Sequence, residues 1–239
     1  MQLFLATPAA ADTLVLQAEE AHHALHVLRH RVGDTLHCVD GAGTYFRARI
    51  TAVRKDEATL EVLETPPEWG EPAQPVGLVV SLLKNRDRFE WLLEKAVELG
   101  VTHIWPVLCH RTERSAWKAE RAHRILAAGL KQNLRSRLPH VPEPAPLAQV
   151  LQAPLLINTF QVRLFPHCGG ATRTVPEMGP VLAAQPAVFC IGPEGDFTPE
   201  EVALAQAGGF QELSLGHTRL RAETAALYCL AANKAFKGA

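Results

Sequence analysis

The spacing of apolar and polar positions changes character near residue 70. Before it, short alternating runs predict strands over 14–16, 36–39, 45–53 and 59–63, with Asp40-Gly-Ala-Gly43 as a turn. A helical period predicts one short helix over 19–32. Thr65-Pro-Pro-Glu-Trp-Gly-Glu-Pro72 holds three prolines in eight residues, which suits an extended linker. Beyond it, the continuous apolar run 76–83 predicts a buried parallel strand. Phe89, Leu92, Leu93, Ala96 and Val97 then mark one face of a helix over 86–99, closed by Gly100. Further strands are predicted over 102–108, 155–160, 187–191 and 212–215, and helices near 116–135, 199–207 and 223–236. Strand–helix alternation of this kind means an α/β domain with a mainly parallel sheet. The expected organisation is a small β-rich domain over 1–70 and an α/β domain over 71–239.

Composition adds exclusions. The chain has 239 residues, 47% apolar and 21% charged, which rules out wholesale disorder. No apolar run reaches 18 residues, so no membrane partner is expected, and the N-terminus lacks the pattern of a signal peptide. Five scattered cysteines without a C-x-x-C pair argue against a disulfide framework or zinc ribbon and for a reduced, cytoplasmic protein. His22, His26 and His30 share a helical face, but no carboxylate accompanies them and Arg29 and Arg31 oppose a cation, so no metal is expected.

The net charge of −1 conceals an uneven distribution. Residues 84–137 hold 12 basic and 6 acidic side chains, whereas 1–70 hold 6 and 10. Such a stretch reads either as one face of a nucleic-acid footprint or as a solvated helical surface laced with ion pairs.

Two segments carry candidate chemistry. In Ile191-Gly-Pro-Glu-Gly-Asp-Phe-Thr-Pro-Glu-Glu201, a strand ends, a glycine-flanked loop follows, and Thr198 with Glu201 forms a capping box with Pro199 at the first helical position. Loops at the carboxyl ends of parallel strands are where α/β sheets place ligands. In Leu215-Gly-His-Thr-Arg-Leu-Arg-Ala-Glu-Thr-Ala225, Arg219, Arg221, Glu223 and Thr224 crowd a second strand end. There is no P-loop, no G-x-G-x-x-G and no G-x-S-x-G elbow.

Together these residues resemble the RsmE family of the SPOUT class, which methylates N3 of a uridine in 16S ribosomal RNA using S-adenosylmethionine. The resemblance runs nearly end to end. It includes His23…Val27-Leu-Arg29…Gly33-Asp34, Asp40-Gly-Ala-Gly43, Lys95-Ala-Val-Glu-Leu-Gly-Val101, Pro106…Arg111 and Lys131-Gln132…Arg135…Leu138-Pro139. It closes with Gly192-Pro-Glu-Gly195 and Leu215-Gly216…Leu220-Arg-Ala-Glu-Thr-Ala225. Two positions depart from the family pattern: Asp196 stands where many members have glycine, and Arg219 is shifted by one against a family arginine.

The resemblance implies an α/β fold with a SPOUT-type parallel sheet tied in a C-terminal trefoil knot, preceded by a PUA-like β-barrel that helps bind RNA. It implies a homodimer acting on 16S rRNA within the small ribosomal subunit. S-adenosylmethionine is then expected on Gly192, Pro193, Glu194, Gly195, Leu215, Gly216, Leu220, Arg221 and Thr224. Arg221, Arg219, Glu194 and Glu223 become the catalytic candidates, with Arg221 favoured as stabiliser of the uridine anion. Arg29, Lys84, Arg86, Arg88, Arg111 and Arg135 become candidate RNA contacts. The rival readings are another SPOUT methyltransferase, acting on tRNA or a ribose 2′-hydroxyl, and a non-catalytic RNA-binding ribosome-assembly factor.

Overall fold

A computed structural model describes residues 1–66, 69–113, 117–169 and 173–238. The chain divides into two units, residues 1–71 with 126–138, and residues 72–125 with 139–239.

The first unit is built on a six-stranded sheet. Its strands are β1 (Leu3–Leu5), β2 (Thr7–Ala10), β3 (Thr13–Gln17), β4 (Thr35–Val39), β5 (Tyr45–Arg54) and β6 (Glu57–Glu64), in the order β1-β4-β5-β6-β3-β2. Every pairing is antiparallel except β1 with β4. Leu14 and Leu16, Leu36 and Cys38, Ala48 and Ile50, and Ala58 and Leu60 are all buried, which is the period of two expected of strands with one covered face. The Asp40 turn forms as expected: its carboxylate accepts the N–H groups of Ala42 (2.7 Å) and Thr44 (2.9 Å). Gly43 has φ +115°, and a Cβ there would collide with the Arg137 guanidinium.

The helix expected over 19–32 is shorter. It comprises α1 (Ala18–His22) and one π-helical turn, His23–Val27, after which Arg29 takes a left-handed φ of +63° that ends it. Of the histidine row, His22 and His26 stay together, ring centroids 5.1 Å apart, and His30 leaves it. His23 bonds Gln2 and His30 faces Asp34, and no metal-holding group of three occurs among the described residues.

Residues 69–71 are not a free linker. Trp69 stacks on Tyr45 with centroids 4.2 Å apart. The Glu71 carboxylate accepts from Arg135 Nη2 (2.8 Å) and from the backbone N–H groups of Ser136 (2.9 Å) and Arg137 (2.8 Å).

In the second unit a six-stranded, all-parallel sheet carries the chemistry. Its strands are β7 (Val76–Ser81), β8 (His103–Leu108), β9 (Ala145–Pro146), β10 (Val162–Pro166), β11 (Ala187–Ile191) and β12 (Gln211–Leu213), in the order β12-β10-β11-β7-β8-β9. β7 and β11 are buried at every position, as their near-continuous apolar runs lead one to expect. The helices are α2 (Arg86–Glu98), α3 (Ala119–Gln132), α4 (Leu147–Leu151), α5 (Pro154–Thr159), α6 (Val175–Ala184), α7 (Pro199–Ala207) and α8 (Ala222–Lys237). α8 packs against α2, α6, β7 and β11.

One predicted strand is a helix. Residues 155–159 fall in α5, opened by Pro154 at its first turn and capped by Phe160, and the strand beside β11 begins at Val162 instead. A six-residue stretch carries no periodicity that separates the two structures. Helix α6, with Pro176 and Pro180, has no counterpart among the predicted elements.

At the far end of β8, His103 stacks on Trp105 (5.4 Å, 14°) and meets Phe160 edge-on. Burial, aided by the neighbouring His140, pushes its pKa down to about 4. The folded chain therefore keeps His103 neutral where an unfolded chain would take up a proton. Stability from this ring is complete above pH ~6.5 and is lost on acidification towards pH 4, a fall of roughly 1–3 kcal/mol. Urea unfolding at pH 7 and pH 4.5, with and without His103→Phe, measures it; the wild type should lose more.

Candidate active site

Three loops meet where the parallel strands end. The first follows β10 and brings Pro166, His167 and Cys168; the second follows β11 and brings Gly192, Pro193, Glu194 and Asp196. The third runs from β12 to α8 through Leu215, Gly216, Arg219, Leu220 and Arg221. With Arg88 of α2 and Glu223 of α8 they line a cleft of about 580 Å³. That volume lies within the usual range of small-molecule sites.

The second loop is fixed from several sides. Thr198 and Glu201 form the expected capping box, with Thr198 N–H donating to Glu201 Oε2 at 2.9 Å. The other Glu201 oxygen accepts the His110 N–H at 2.8 Å. Arg111 Nη1 donates to the carbonyls of Gly195 (2.7 Å) and Phe197 (3.3 Å). Lys84 N–H donates to Glu194 Oε1 at 3.0 Å. The loop is thus tied to the ends of β7 and β8 before any ligand arrives.

Asp196 occupies a left-handed conformation, φ +62°, which explains why glycine suits this position and why aspartate is tolerated there. Its carboxylate accepts the Cys168 N–H at 2.9 Å and the Phe197 N–H at 2.8 Å, so it joins the first loop to the second. Asp196→Ala removes both bonds and keeps the backbone strain. A loss of about 1–3 kcal/mol follows, read as a lower melting temperature; Asp196→Asn, which retains an acceptor, should recover much of it.

Glu223 is 6% exposed at the start of α8, with Arg88 Nε 3.7 Å from its Oε1. Arg221 is the N-cap residue of α8 and is exposed. Arg219 reaches the other side of the cleft. There, partial burial and the Asp196 carboxylate hold the Cys168 thiol above its usual pKa, against the pull of the Arg219 charge. The two arginines of the third loop therefore serve different walls.

The expected cofactor residues Gly192, Pro193, Glu194, Leu215, Gly216, Leu220 and Arg221 all line the cleft, whereas Gly195 and Thr224 do not. Gly216 has φ +109°, and a Cβ there would point into open space. The missing side chain leaves room for a ligand against bare backbone.

Among the expected RNA contacts the structure makes distinctions. Arg29 is exposed in the first unit. Lys84 is exposed and paired with Glu113, and Arg86 with Glu90. Arg88 turns into the cleft, and Arg111 braces the second loop. Arg135 is corrected outright as a phosphate contact: it is 4% exposed and its guanidinium is committed to Glu71. The wall supplied by His167 and Cys168 is not expected from the sequence, which assigns the strand to 155–160. A strand over 162–166 followed by His-Cys-Gly is the signal that points to it.

Residues 70–234 match the family model described as an RNA methyltransferase domain, and residues 16–63 match that of an RNA methyltransferase PUA domain. The chain belongs to the RNA methyltransferase family. A ribosomal RNA small subunit methyltransferase E from Synechocystis is 34% identical over 225 residues, 92% of this chain and 72% of that protein. The crystal structure of a probable rRNA-methyltransferase from Porphyromonas gingivalis superposes with a TM-score of 0.84 at 33% identity, covering 96% of this chain and 95% of that one. A ribosomal RNA small subunit methyltransferase E from Neisseria gonorrhoeae, solved bound to S-adenosyl methionine, gives 0.84 at 29% identity over 98% and 97%. Family membership accounts for an N-terminal PUA-like domain on a chain whose second unit has a parallel sheet. No helix among the described residues is long and apolar enough to cross a membrane.

Proposed function

We propose that the chain transfers a methyl group from S-adenosylmethionine to N3 of a uridine in 16S rRNA of the small ribosomal subunit. The single observation that carries this is the cleft at the ends of β10, β11 and β12, lined by the loops of a family whose relatives bear that name and, in one case, were solved with that cofactor.

The cofactor supplies a methyl group already electrophilic on its sulfonium, so no metal is required. Backbone at Gly192, Leu215, Gly216 and Leu220 holds it. What remains for the protein is to present N3 in line and to remove its proton. Arg221 stabilises the negative charge that spreads over the uracil carbonyls as N3 deprotonates. Glu223 is occupied by Arg88, whereas Glu194 is exposed in the cleft and positioned through Lys84 N–H, so Glu194 is the better acceptor for the proton. Because N3 lies on the Watson–Crick edge, the uridine must be unpaired to react.

The finer architecture follows the same reading. Residues 1–71, completed by 126–138, form the RNA-binding unit, and the remaining residues form the methyltransferase unit, whose C-terminal part, closed by α8, is tied in a trefoil knot. Convergence of three loops on one cleft, with α8 returning against β7 and β11, supports the knot. Val181 on α6, with Tyr228 and Phe236 on α8, leaves apolar side chains exposed on packed helices, which supports a homodimer. The site of action is the cytoplasm, where the subunits are.

The test is calorimetric titration with S-adenosylhomocysteine followed by methyl transfer to unmodified small subunits. One ligand per chain and one N3-methylated uridine are expected. Methylation at another atom, or no binding, would overturn the reading.

A further inference from the structure

The start of α2 separates two depressions. Arg88 faces the cleft, whereas Arg86 lies on a second, smaller cavity on the other side of the same turn. This second cavity has a volume of about 80 Å³, with room for roughly six water-sized groups. Its walls are the rings of Phe89 and Trp117, set edge to face with centroids 6.1 Å apart, and the side chain of Leu93. Its rim carries Arg86, Arg121 and Lys118 against one carboxylate, Glu90, which bonds both arginines (2.6 and 2.9 Å).

A ligand for it must be apolar on its faces, to lie against the two rings, and attached to something anionic, to meet the basic rim.

We propose that this cavity receives a pyrimidine base of the RNA substrate next to the nucleotide that reacts in the cleft. A single-ring base suits the volume better than a purine. The ring walls provide the stacking surface that single-stranded RNA uses, and the net positive rim meets its phosphates. A splayed neighbour held on the far side of α2 would also keep the target base from restacking. The inference rests on the methyltransferase reading for its substrate, but its test does not require turnover.

The experiment measures binding of a pyrimidine-rich single-stranded oligoribonucleotide to the full chain, with S-adenosylhomocysteine affinity as the control for folding. Trp117→Phe keeps an aromatic wall and should leave the RNA dissociation constant within about threefold of the wild type. Trp117→Leu loses the stacking ring and should raise it tenfold or more. S-adenosylhomocysteine affinity should stay at the wild-type value in both. Wild-type RNA affinity in Trp117→Leu overturns the proposal, as does failure of the wild-type chain to bind the oligonucleotide. Failure of the wild-type chain to methylate small subunits, with the binding series as expected, would instead remove the methylation reading and leave the base site standing.

Discussion

Arg221→Ala should lower the rate of methyl transfer about 10²–10³-fold while leaving S-adenosylhomocysteine affinity within about twofold. The side chain stands at the N-cap of α8, exposed, on the cleft that would hold the cofactor. Removing the cation takes away charge that matters only while N3 is being deprotonated, so the loss belongs in turnover and not in ground-state binding. Single-turnover rates across pH sharpen the test. Without the arginine, the uracil must ionise unaided, and the rate should keep climbing to a higher pH than in the wild type. A large loss of cofactor affinity would make Arg221 a binding residue instead. Arg219→Ala, on the Cys168 wall, should have the smaller effect on rate.

Phe165→Ala should cost about 3–5 kcal/mol of stability and weaken cofactor binding together. Phe165 is fully buried in β10. Its ring stacks on His167 (5.1 Å, 6°) and meets Phe197 edge-on at 6.2 Å, so one side chain underlies both the first and the second cleft loops. Chemical denaturation gives the stability loss and calorimetry the affinity loss. The neighbouring Leu164 is just as buried but, by strand alternation, points to the opposite face of the sheet from these rings. Leu164→Ala should therefore destabilise without the same loss of affinity.

The elements legible in the sequence are those whose pattern has one physical solution. β7 and β11 are apolar apart from Ser81 at the end of β7, a pattern that suits strands buried on both faces. α7 is announced by Thr198, Pro199 and Glu201, which satisfy the first turn's free N–H groups. Both glycine-bearing loops of the site can be read because each ends a strand and opens a helix. The segment 154–166 cannot, since Leu155-Leu156-Ile157 and the trio Val162, Leu164 and Phe165 are both short apolar clusters and only tertiary pairing with β11 decides between them. That ambiguity hides Cys168 and, with it, the bond that gives Asp196 its purpose. Charge counting locates the basic segment but not its use: ion pairs are set by side-chain geometry, and Glu71, Glu90, Glu113 and Glu223 each answer one of the expected RNA contacts.

The bonds accepted by Glu71 have a bearing on how the protein is made. With the bonds of Ser136 and Leu138 to the Asp40 turn, they fasten residues 135–138 to the first unit, which is complete only once residue 138 exists. A nascent chain emerging from the ribosome must therefore hold its N-terminal unit unfinished while β7, α2 and β8 are translated. The usual order, in which an N-terminal domain closes before its neighbour begins, is not open to it.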